Sequence, residues 1–438
     1  MDTITVAVVS LAVLLALLAA KVPIGVALGL VSFGGFWILL NFDVALSTVR
    51  TIPYEFSANW DLTAIPMFLL MGAIVNQSGI STALFRAARL WLGGLPGGLA
   101  VATNLACAGF GAASGSSVAA SATMARLAVP EMLRHGYDKG LAAGVVACGG
   151  TLAALIPPSI LFVLYGIFAQ VSIVDLLIAG IIPGILTAVV YTAMILIRCR
   201  LNPSLAPEQG REEFRGTRRE RWTALAEVWP LLALILAVIG GLYGGIVSPT
   251  EAGAGGAFVA LLIAVLQGRM KLPDFLASVK DAMAATAQIF FVGMGAVMYT
   301  RFLAFSGAGN FLTDTIGSWA VDPILLVLAL SIVYLILGMF LDPLGILLIT
   351  IPVFLPMFQA LNLDLVWLGV IMVKYIEIGL LTPPVGFNVY VVKGVVGDRI
   401  PLETIFKGCF WFLACEVVIM ALIIGFPEIS TFLPQTMR

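Results

Sequence analysis

Repeated long apolar segments constrain this chain more than any other feature of its sequence. Four examples are Ile4–Ala20, Ile173–Ile197, Leu231–Ile246 and Val366–Leu381. A helix rises about 1.5 Å per residue, so segments of this length suit a membrane hydrocarbon core of about 30 Å. The shorter alternating segments typical of membrane barrel strands are absent from the sequence. The sequence therefore predicts an all-α polytopic membrane protein.

Composition argues against several functional classes. Hydrophobic residues make up 61% of the 438 residues and charged residues 11%, against about 25% charged in soluble domains. The net charge of −1 offers no basis for a nucleic-acid partner. The five cysteines form no CxxC pair, His135 is the single histidine, and no GxxxxGK(S/T) nucleotide loop occurs. We therefore expect that the chain is not an enzyme and binds no cofactor. We expect the energy for its function to come from an ion gradient or from another subunit.

The positions of lysine and arginine predict the orientation, because short cytoplasmic loops carry an excess of both. The segment Arg198–Arg221 holds seven arginines and is predicted to be cytoplasmic. When the predicted helices before and after this segment cross the membrane in alternating directions, 19 of the 23 basic residues fall on the cytoplasmic side. The first segment lacks the positive region of a cleaved signal and is predicted to be a retained helix. We expect a multi-pass protein of the bacterial inner membrane with periplasmic N- and C-termini.

Two apolar segments are interrupted near their middle by polar or helix-breaking residues. The segment 95–125 is interrupted at Gly111–Ser117, and basic loops flank both of its ends. The segment 324–358 is interrupted at Leu341–Gly345, and its flanking loops are acidic and hold no basic residue. We interpret both as re-entrant helical hairpins, the first opening to the cytoplasm and the second to the periplasm.

Each predicted hairpin is followed by a helix that contains Pro-Pro. These helices are 140–170, with Pro157-Pro158, and 366–392, with Pro383-Pro384. The same order in opposite orientations indicates an inverted repeat, which places a substrate site near the bilayer midplane. The predicted domains are transport-domain repeats at 86–172 and 282–400, and scaffold helices at 1–85, 173–281 (with the basic loop 198–222) and 401–438.

The broken helices and hairpin tips have the chemistry of an ion and anion site. Pro-Pro leaves backbone carbonyls without donors, which a membrane tolerates only beside protein or a polar cavity. Such carbonyls are hard ligands for a small cation, and side-chain oxygens can complete the shell from Thr151, Ser159, Thr382 and Asn388. Half-helix N-termini favour an anion, aided by hydroxyls of Ser114, Ser116 and Ser117. Asp342, at the second tip, is either a cation ligand or a helix cap.

Other charged residues in or near the apolar segments have competing interpretations. Lys374 and Glu377 are three residues apart on one predicted helix and are expected to pair. Arg301 either meets a substrate carboxylate or extends towards the membrane interface. Glu416 is expected to make a scaffold contact. Glu251 follows Ser248-Pro-Thr and is expected to belong to a helix N-terminal cap.

These segments together resemble the large membrane subunit of tripartite ATP-independent periplasmic (TRAP) transporters. The resemblance covers essentially the whole chain and is carried by Ile65–Gly72, Ala113–Ser117, Gly149–Leu152, Ile156–Ser159, Pro249–Ala252, Asp342 with Pro352 and Pro356, and Gly379–Asn388. It implies an elevator-type transporter whose mobile transport domain carries both hairpins. It also implies secondary active uptake of a small organic anion, such as a carboxylate, coupled to sodium ions.

The resemblance further implies partners and ligand residues. We expect a separate small four-helix membrane subunit and a periplasmic substrate-binding protein, either of which the loop Arg50–Trp60 can contact; that loop otherwise anchors at the membrane interface. The predicted sodium ligands are Ser114, Ser117, Gly150, Thr151, Pro157, Asp342, Gly379, Thr382 and Asn388. The predicted substrate-binding residues are Ser114, Gly115, Ser116, Ser117, Pro158, Ser159, Asn388 and Arg301.

Three alternative functions remain open on the sequence alone. A stand-alone ion-coupled symporter, or an arsenite-type permease, has a similar build but needs no binding protein. An intramembrane enzyme needs a catalytic set such as paired aspartates or a Ser–His pair, for which one histidine and one central aspartate are a poor basis. A channel needs no inverted pair of hairpins.

Overall fold

The described part of the chain is helical, as the sequence predicts. The computed structural model describes residues 3–207, 216–309, 311 and 323–437, and these contain no strand. Helices of the first half are α1 Thr3–Ala19, α2 Ile24–Leu39, α3 Phe42–Ser57, α4 Ala64–Gln77, α5 Ile80–Leu92, α6 Gly98–Ser114, α7 Ser117–Arg134, α8 Lys139–Gly150, α9 Ile160–Ala169, α10 Ile173–Ala179 and α11 Ile181–Leu201. Those of the second half are α12 Arg218–Ala226, α13 Trp229–Tyr243, α14 Pro249–Leu266, α15 Leu272–Ser306, α16 Pro323–Gly338, α17 Pro343–Ala360, α18 Leu365–Gly379, α19 Phe387–Val396, α20 Leu402–Gly425 and α21 Glu428–Thr436.

Several of these helices suit a membrane by length and composition. Six described spans are long and apolar enough to cross one, or up to seven if the pair Phe42–Ser57 and Trp60–Gln77, bent by 58°, counts as one span. Further apolar helices of 10–17 residues include the first arm of each predicted hairpin and both arms of the first broken helix. This distribution agrees with a polytopic protein in which some helices are interrupted.

Both predicted interruptions are short turns between helices that contact each other. Gly115 and Ser116 separate α6 from α7, and Gly115 takes a left-handed φ of +63°, which glycine adopts without a steric cost. Residues 339–342 separate α16 from α17. The helical hairpins are therefore present in the structure, while their re-entrant depth in the membrane stays a prediction.

Both Pro-Pro breaks lie where the sequence places them. Helix α8 ends at Gly150, a 3-10 turn covers Thr151–Ala154, and α9 resumes at Ile160. Helix α18 ends at Gly379 and α19 begins at Phe387. The Pro157–Pro158 and Pro383–Pro384 peptide bonds are both cis. The two halves thus share the order hairpin, helix, break, helix.

Apart from α5 and α12, the helices pack as two groups. Within the first group, α14 lies along α4, and α15 lies along α2 and α4; we call α1–α4 and α13–α15 the α4–α15 group. The second, which we call the hairpin group, consists of α6–α11 and α16–α21. Helix α20 packs along α8 so closely that a Cβ at Gly408 would overlap the backbone of Gly140. Helices α11 and α20, from the predicted scaffold segments 173–281 and 401–438, pack with the hairpins, and α15, from the second predicted repeat, packs with α2 and α4. The division into scaffold and transport domain stays a prediction.

Two segments predicted as loops are helices. The expected loop Arg50–Trp60 lies largely in α3, whose first turn Asn41 caps by accepting from the Val44 N–H at 2.9 Å. Hydropathy misses α3 because it is amphipathic: Phe56 is buried, whereas Tyr54 is 76% exposed. The residues just before 282, where the predicted scaffold segment ends, are also helical, because α15 begins ten residues earlier at Leu272.

N-terminal caps explain why α14 and α15 begin at polar and charged residues. The N–H of Lys271 donates to the Asp274 carboxylate at 3.1 Å, and Pro273 occupies an early position of α15 that needs no donor. The predicted cap at Glu251 is confirmed: its carboxylate accepts from the Ser248 N–H at 2.8 Å, and the Ser248 hydroxyl accepts from the Glu251 N–H at 3.4 Å. These local contacts permit a helix to begin in polar sequence.

Candidate functional site

A cavity of about 280 Å³ lies between the two hairpin tips. The hairpin group provides most of its wall, and α4 and α15 of the α4–α15 group close it. The lining residues are Leu69, Gly115, Ser116, Ser117, Val118, Ala154, Ile160, Leu161, Ala285, Gln288, Ile289, Asp342, Pro343, Leu344, Glu377 and Phe387. The cavity therefore touches both repeats and both packing groups, with polar groups set among apolar ones.

The tip of the first hairpin, between α6 and α7, packs against the Pro157-Pro158 break. The Ile160 N–H donates to the Gly115 carbonyl at 3.4 Å, and a Cβ at Gly115 would overlap the Pro158 carbonyl. The Ser116 hydroxyl caps α7 by accepting from the Ala119 N–H at 3.4 Å. Three predicted site residues, Gly115, Ser116 and Ser117, line the cavity, whereas Pro158 supports the tip from behind.

The second tip is built on Asp342. Its carboxylate caps α17 by accepting from the Gly345 N–H at 3.2 Å, which confirms the helix-cap alternative. The same residue lines the cavity, so a role as cation ligand stays a prediction beside the confirmed cap. The arm α16 reaches the second break, where Gly338 lies against Gly379 closely enough that a Cβ on either would clash. Each hairpin therefore rests on the break of its own repeat.

Buried polar atoms around these breaks lack partners among the described residues. They include the Ser114 hydroxyl, the Ser121 hydroxyl and both polar side-chain atoms of Asn388, which is fully buried. A Cβ at Gly150 would overlap the Ser121 hydroxyl, so the end of α8 lies directly on α7. Buried polar groups normally have partners, and exceptions of this kind are expected where an ion, a water or a ligand binds.

Four other predicted residues lie beside the breaks rather than in the cavity wall. The Thr151 hydroxyl donates to the Cys148 carbonyl at 2.6 Å, and the Thr382 hydroxyl donates to the Ile378 carbonyl at 2.8 Å. Each hydroxyl oxygen keeps lone pairs that a cation can use. Ser159 caps α9 by accepting from the Phe162 N–H at 3.3 Å, and Pro157 lies in the unwound segment before it.

Sequence reasoning missed Glu377 as a site residue. Glu377 lines the cavity, is 1% exposed, and accepts a 3.0 Å hydrogen bond from the Ser117 hydroxyl. The expected pairing with Lys374 is wrong, because the Lys374 ammonium bonds Glu416 at 2.6 Å. Gln288 was also missed, since it lies on α15 without a local helix-breaking motif. A carboxylate inside a membrane segment is by itself an indication of function, so the sequence contained a feature that could have identified Glu377.

Arg301 is not brought to the tip cavity. Its guanidinium bonds the Glu55 carboxylate at 2.6 Å, and both side chains are about half exposed. The two residues line a separate depression between α3, α9 and α15. The prediction that Arg301 binds substrate therefore has no support from the geometry, because an ion pair with α3 occupies its head group.

Replacing Arg301 by alanine is expected to change the KM for the transported substrate by less than about threefold. An exposed ion pair outside the cavity contributes little, since solvent screens it. The measurement is initial uptake rate against substrate concentration in proteoliposomes, with Glu55→Gln as the matched variant that breaks the same pair. A KM increase of tenfold or more in Arg301→Ala, without one in Glu55→Gln, would return Arg301 to the substrate site.

Comparison with known proteins gives concordant results. The family model described as "Tripartite ATP-independent periplasmic transporter, DctM component" matches residues 11–429. The C4-dicarboxylate TRAP transporter large permease protein of Pseudomonas aeruginosa is 34% identical over 405 residues, which is 92% of each chain. The ectoine/5-hydroxyectoine TRAP transporter large permease protein of Ruegeria pomeroyi is 33% identical over 374 residues, 85% of each.

A solved structure gives an independent likeness at the level of fold. The YdaH transporter of Alcanivorax borkumensis superposes with a TM-score of 0.63, covering 88% of this chain and 89% of that one. The identity is 16%, so the likeness concerns the fold alone. The helical architecture described above therefore occurs in an experimentally determined membrane transporter.

Proposed function

The chain belongs to the DctM-component family of TRAP transporters, and from this premise we propose that it couples the uptake of a small organic anion to sodium ions. Large permease subunits of this family are multi-pass membrane proteins that work with a small membrane subunit and a periplasmic binding protein. The coarse function is therefore secondary uptake. Sodium coupling, the elevator motion and the class of substrate are the parts that we propose.

The observation that carries the proposal is the set of buried oxygen atoms without partners at the tips and breaks. Ser114 and Asn388 each leave a side-chain oxygen unpaired in the interior of the described structure. They lie in different repeats, Ser114 at the tip of the first hairpin and Asn388 just after the second break. A small hard cation binds oxygen ligands, and unwound membrane helices supply further carbonyls for it. Sodium at these places would satisfy atoms whose burial is otherwise costly.

The two-group packing supports an elevator motion. Both hairpins and both broken helices belong to the hairpin group, so one rigid movement would carry every tip residue together. The cavity lies where this group meets α4 and α15, which would act as the fixed wall. In this proposal α11, α20 and α21 move with the hairpins, because they pack on them.

Relatives of this chain bear names that span C4-dicarboxylates, sialic acid, isethionate and ectoine. We therefore propose that the substrate is a small organic acid and that the binding protein contributes to the selection among such acids. The cavity suits a small molecule with apolar and polar parts, because aliphatic residues such as Leu69 and Ile289 line it together with Ser116, Ser117 and Gln288.

The test is uptake by proteoliposomes that contain this chain with its small subunit and binding protein. A panel of C4-dicarboxylates and other small organic acids is supplied under an inward sodium gradient, or under choline of equal ionic strength. We expect sodium-dependent accumulation of one class that needs the binding protein and no ATP. Accumulation that is equal in choline would contradict sodium coupling, and accumulation without the binding protein would favour a stand-alone symporter.

A further inference from the structure

Glu377 is a buried carboxylate in the cavity wall with one oxygen satisfied and one not. Its Oε1 accepts the hydrogen bond from the Ser117 hydroxyl at 3.0 Å. Its Oε2 is buried and has no hydrogen-bond partner among the described residues. Because Ser117 begins α7 and Glu377 lies in the last turn of α18, this contact joins the first repeat to the second.

The charges around Glu377 do not balance. The nearest cation along its helix, Lys374, is committed to Glu416, and the side chains of that pair are 2% exposed. With both carboxyl groups ionised, Lys374, Glu416 and Glu377 together carry one positive and two negative charges. The described cavity wall contributes Asp342 as a further carboxylate and includes no lysine or arginine. One monovalent cation at Glu377 would neutralise the set of Lys374, Glu416 and Glu377 and leave Asp342 as the remaining charge.

We propose that Glu377 and Ser117 form a monovalent-cation site that bridges the two repeats. The site rests on the proposed sodium-coupled function and adds a ligand that the tip and break motifs did not indicate. A carboxylate oxygen and a hydroxyl oxygen are hard ligands of the kind that sodium prefers over softer donors. A buried carboxylate is costly unless it is paired, so the bound cation stabilises the folded state.

The site has a consequence for the substrate. An anion that enters the cavity without a cation meets the uncompensated charges of Glu377 and Asp342, and Coulomb repulsion is strong in an interior of low effective dielectric. A cation between Ser117 and Glu377 removes one of these charges at the cavity wall. Cation binding therefore lowers the electrostatic barrier to the anion, and the two ligands bind with positive coupling.

The decisive variant is Glu377→Gln, which keeps the size of the side chain and an acceptor for Ser117 but removes the charge. The full chain in nanodiscs is heated in sodium chloride or choline chloride at equal ionic strength. We expect the sodium concentration for half-maximal thermal stabilisation to rise about tenfold or more. In choline, Glu377→Gln is expected to be more stable than wild type, because the unpaired buried charge is gone. A purely structural role for the hydrogen bond, which glutamine still accepts, would instead leave the sodium midpoint unchanged.

Two further variants complete the design. Glu403→Gln makes the same chemical change at an exposed position of α20 and should leave the sodium response unchanged. Ser117→Ala removes the hydroxyl and should raise the sodium midpoint about threefold, which keeps the proposal testable if Glu377→Gln fails to fold. An unchanged sodium midpoint in either cavity variant, with a normal response in wild type, would overturn this site alone. No sodium response in wild type would contradict the proposed sodium coupling, and this site with it.

Discussion

Replacing Lys374 by methionine is expected to lower the free energy of unfolding by about 3–5 kcal/mol. The Lys374 ammonium lies 2.6 Å from Glu416, and both side chains are 2% exposed. Tyr191 also donates its hydroxyl hydrogen to Glu416. Removal of the ammonium leaves a buried carboxylate without its countercharge at the junction of α11, α18 and α20. The measurement is reversible unfolding in mixed micelles, followed by circular dichroism.

The double variant Lys374→Met with Glu416→Gln isolates the charge from the packing. It removes both charges and keeps an acceptor for Tyr191, so it should recover most of the lost stability, as neutral replacements of buried ion pairs often do. The matched control is Lys407→Met with Glu403→Gln. These two residues form an exposed ion pair on α20, the helix that also carries Glu416, with 2.8 Å between Lys407 Nζ and Glu403 Oε1. That control should unfold close to wild type. A double variant as unstable as Lys374→Met would show that shape, and not charge, holds these helices together.

Replacing Asp342 by asparagine is expected to reduce sodium-driven uptake about 100-fold while the protein stays folded. Asparagine caps a helix about as well as aspartate, so α17 keeps the bond that Asp342 makes to the Gly345 N–H. The negative charge at the cavity wall is lost, and a charged contact worth about 2.7 kcal/mol corresponds to this factor. The measurement is initial uptake under a sodium gradient, with folding checked by size-exclusion profile and thermal midpoint.

Asp342→Ala and Asp342→Ser separate the cap from the charge. Alanine removes both, and loss of the cap should cost about 1 kcal/mol of stability in addition to the loss of uptake. Serine restores a capping oxygen without the charge, so its stability should return towards wild type while its uptake stays low. If Asp342→Asn transports at the wild-type rate, Asp342 is a helix cap only and the predicted ligand role is wrong.

The sequence anticipated the breaks because their chemistry is local. Pro-Pro cannot continue a helix. The turn at Gly115 and Ser116 needs a residue with a left-handed backbone conformation, and a glycine in the sequence indicates such a position. These rules located both hairpin turns and both broken helices to within a few residues. Hydropathy failed at α3 and at the start of α15, because an amphipathic helix and a charged helix end do not read as apolar segments.

The predicted site was partly assembled and partly dispersed. Gly115, Ser116, Ser117 and Asp342 meet around one cavity, as the predicted inverted repeat implies. Arg301 does not join them, because a helix that hydropathy overlooked supplies Glu55 as its partner. Glu377 was considered only as the neighbour of Lys374, since spacing along one helix is the only contact that a sequence displays.

The sequence by itself determined that the chain lies in a membrane, that it is all-helical, that each half has a hairpin followed by a broken helix, and that it belongs to this family. Each of these follows from short-range properties, namely apolar length, proline and glycine chemistry, and motifs in order. The tertiary structure alone decided which buried charges meet. Lys374 bonds Glu416, which is 42 residues away, and Ser117 bonds Glu377, 260 residues away. Partners at such separations are chosen by how helices pack around one another, because a buried charge is stable only beside the specific group that compensates it.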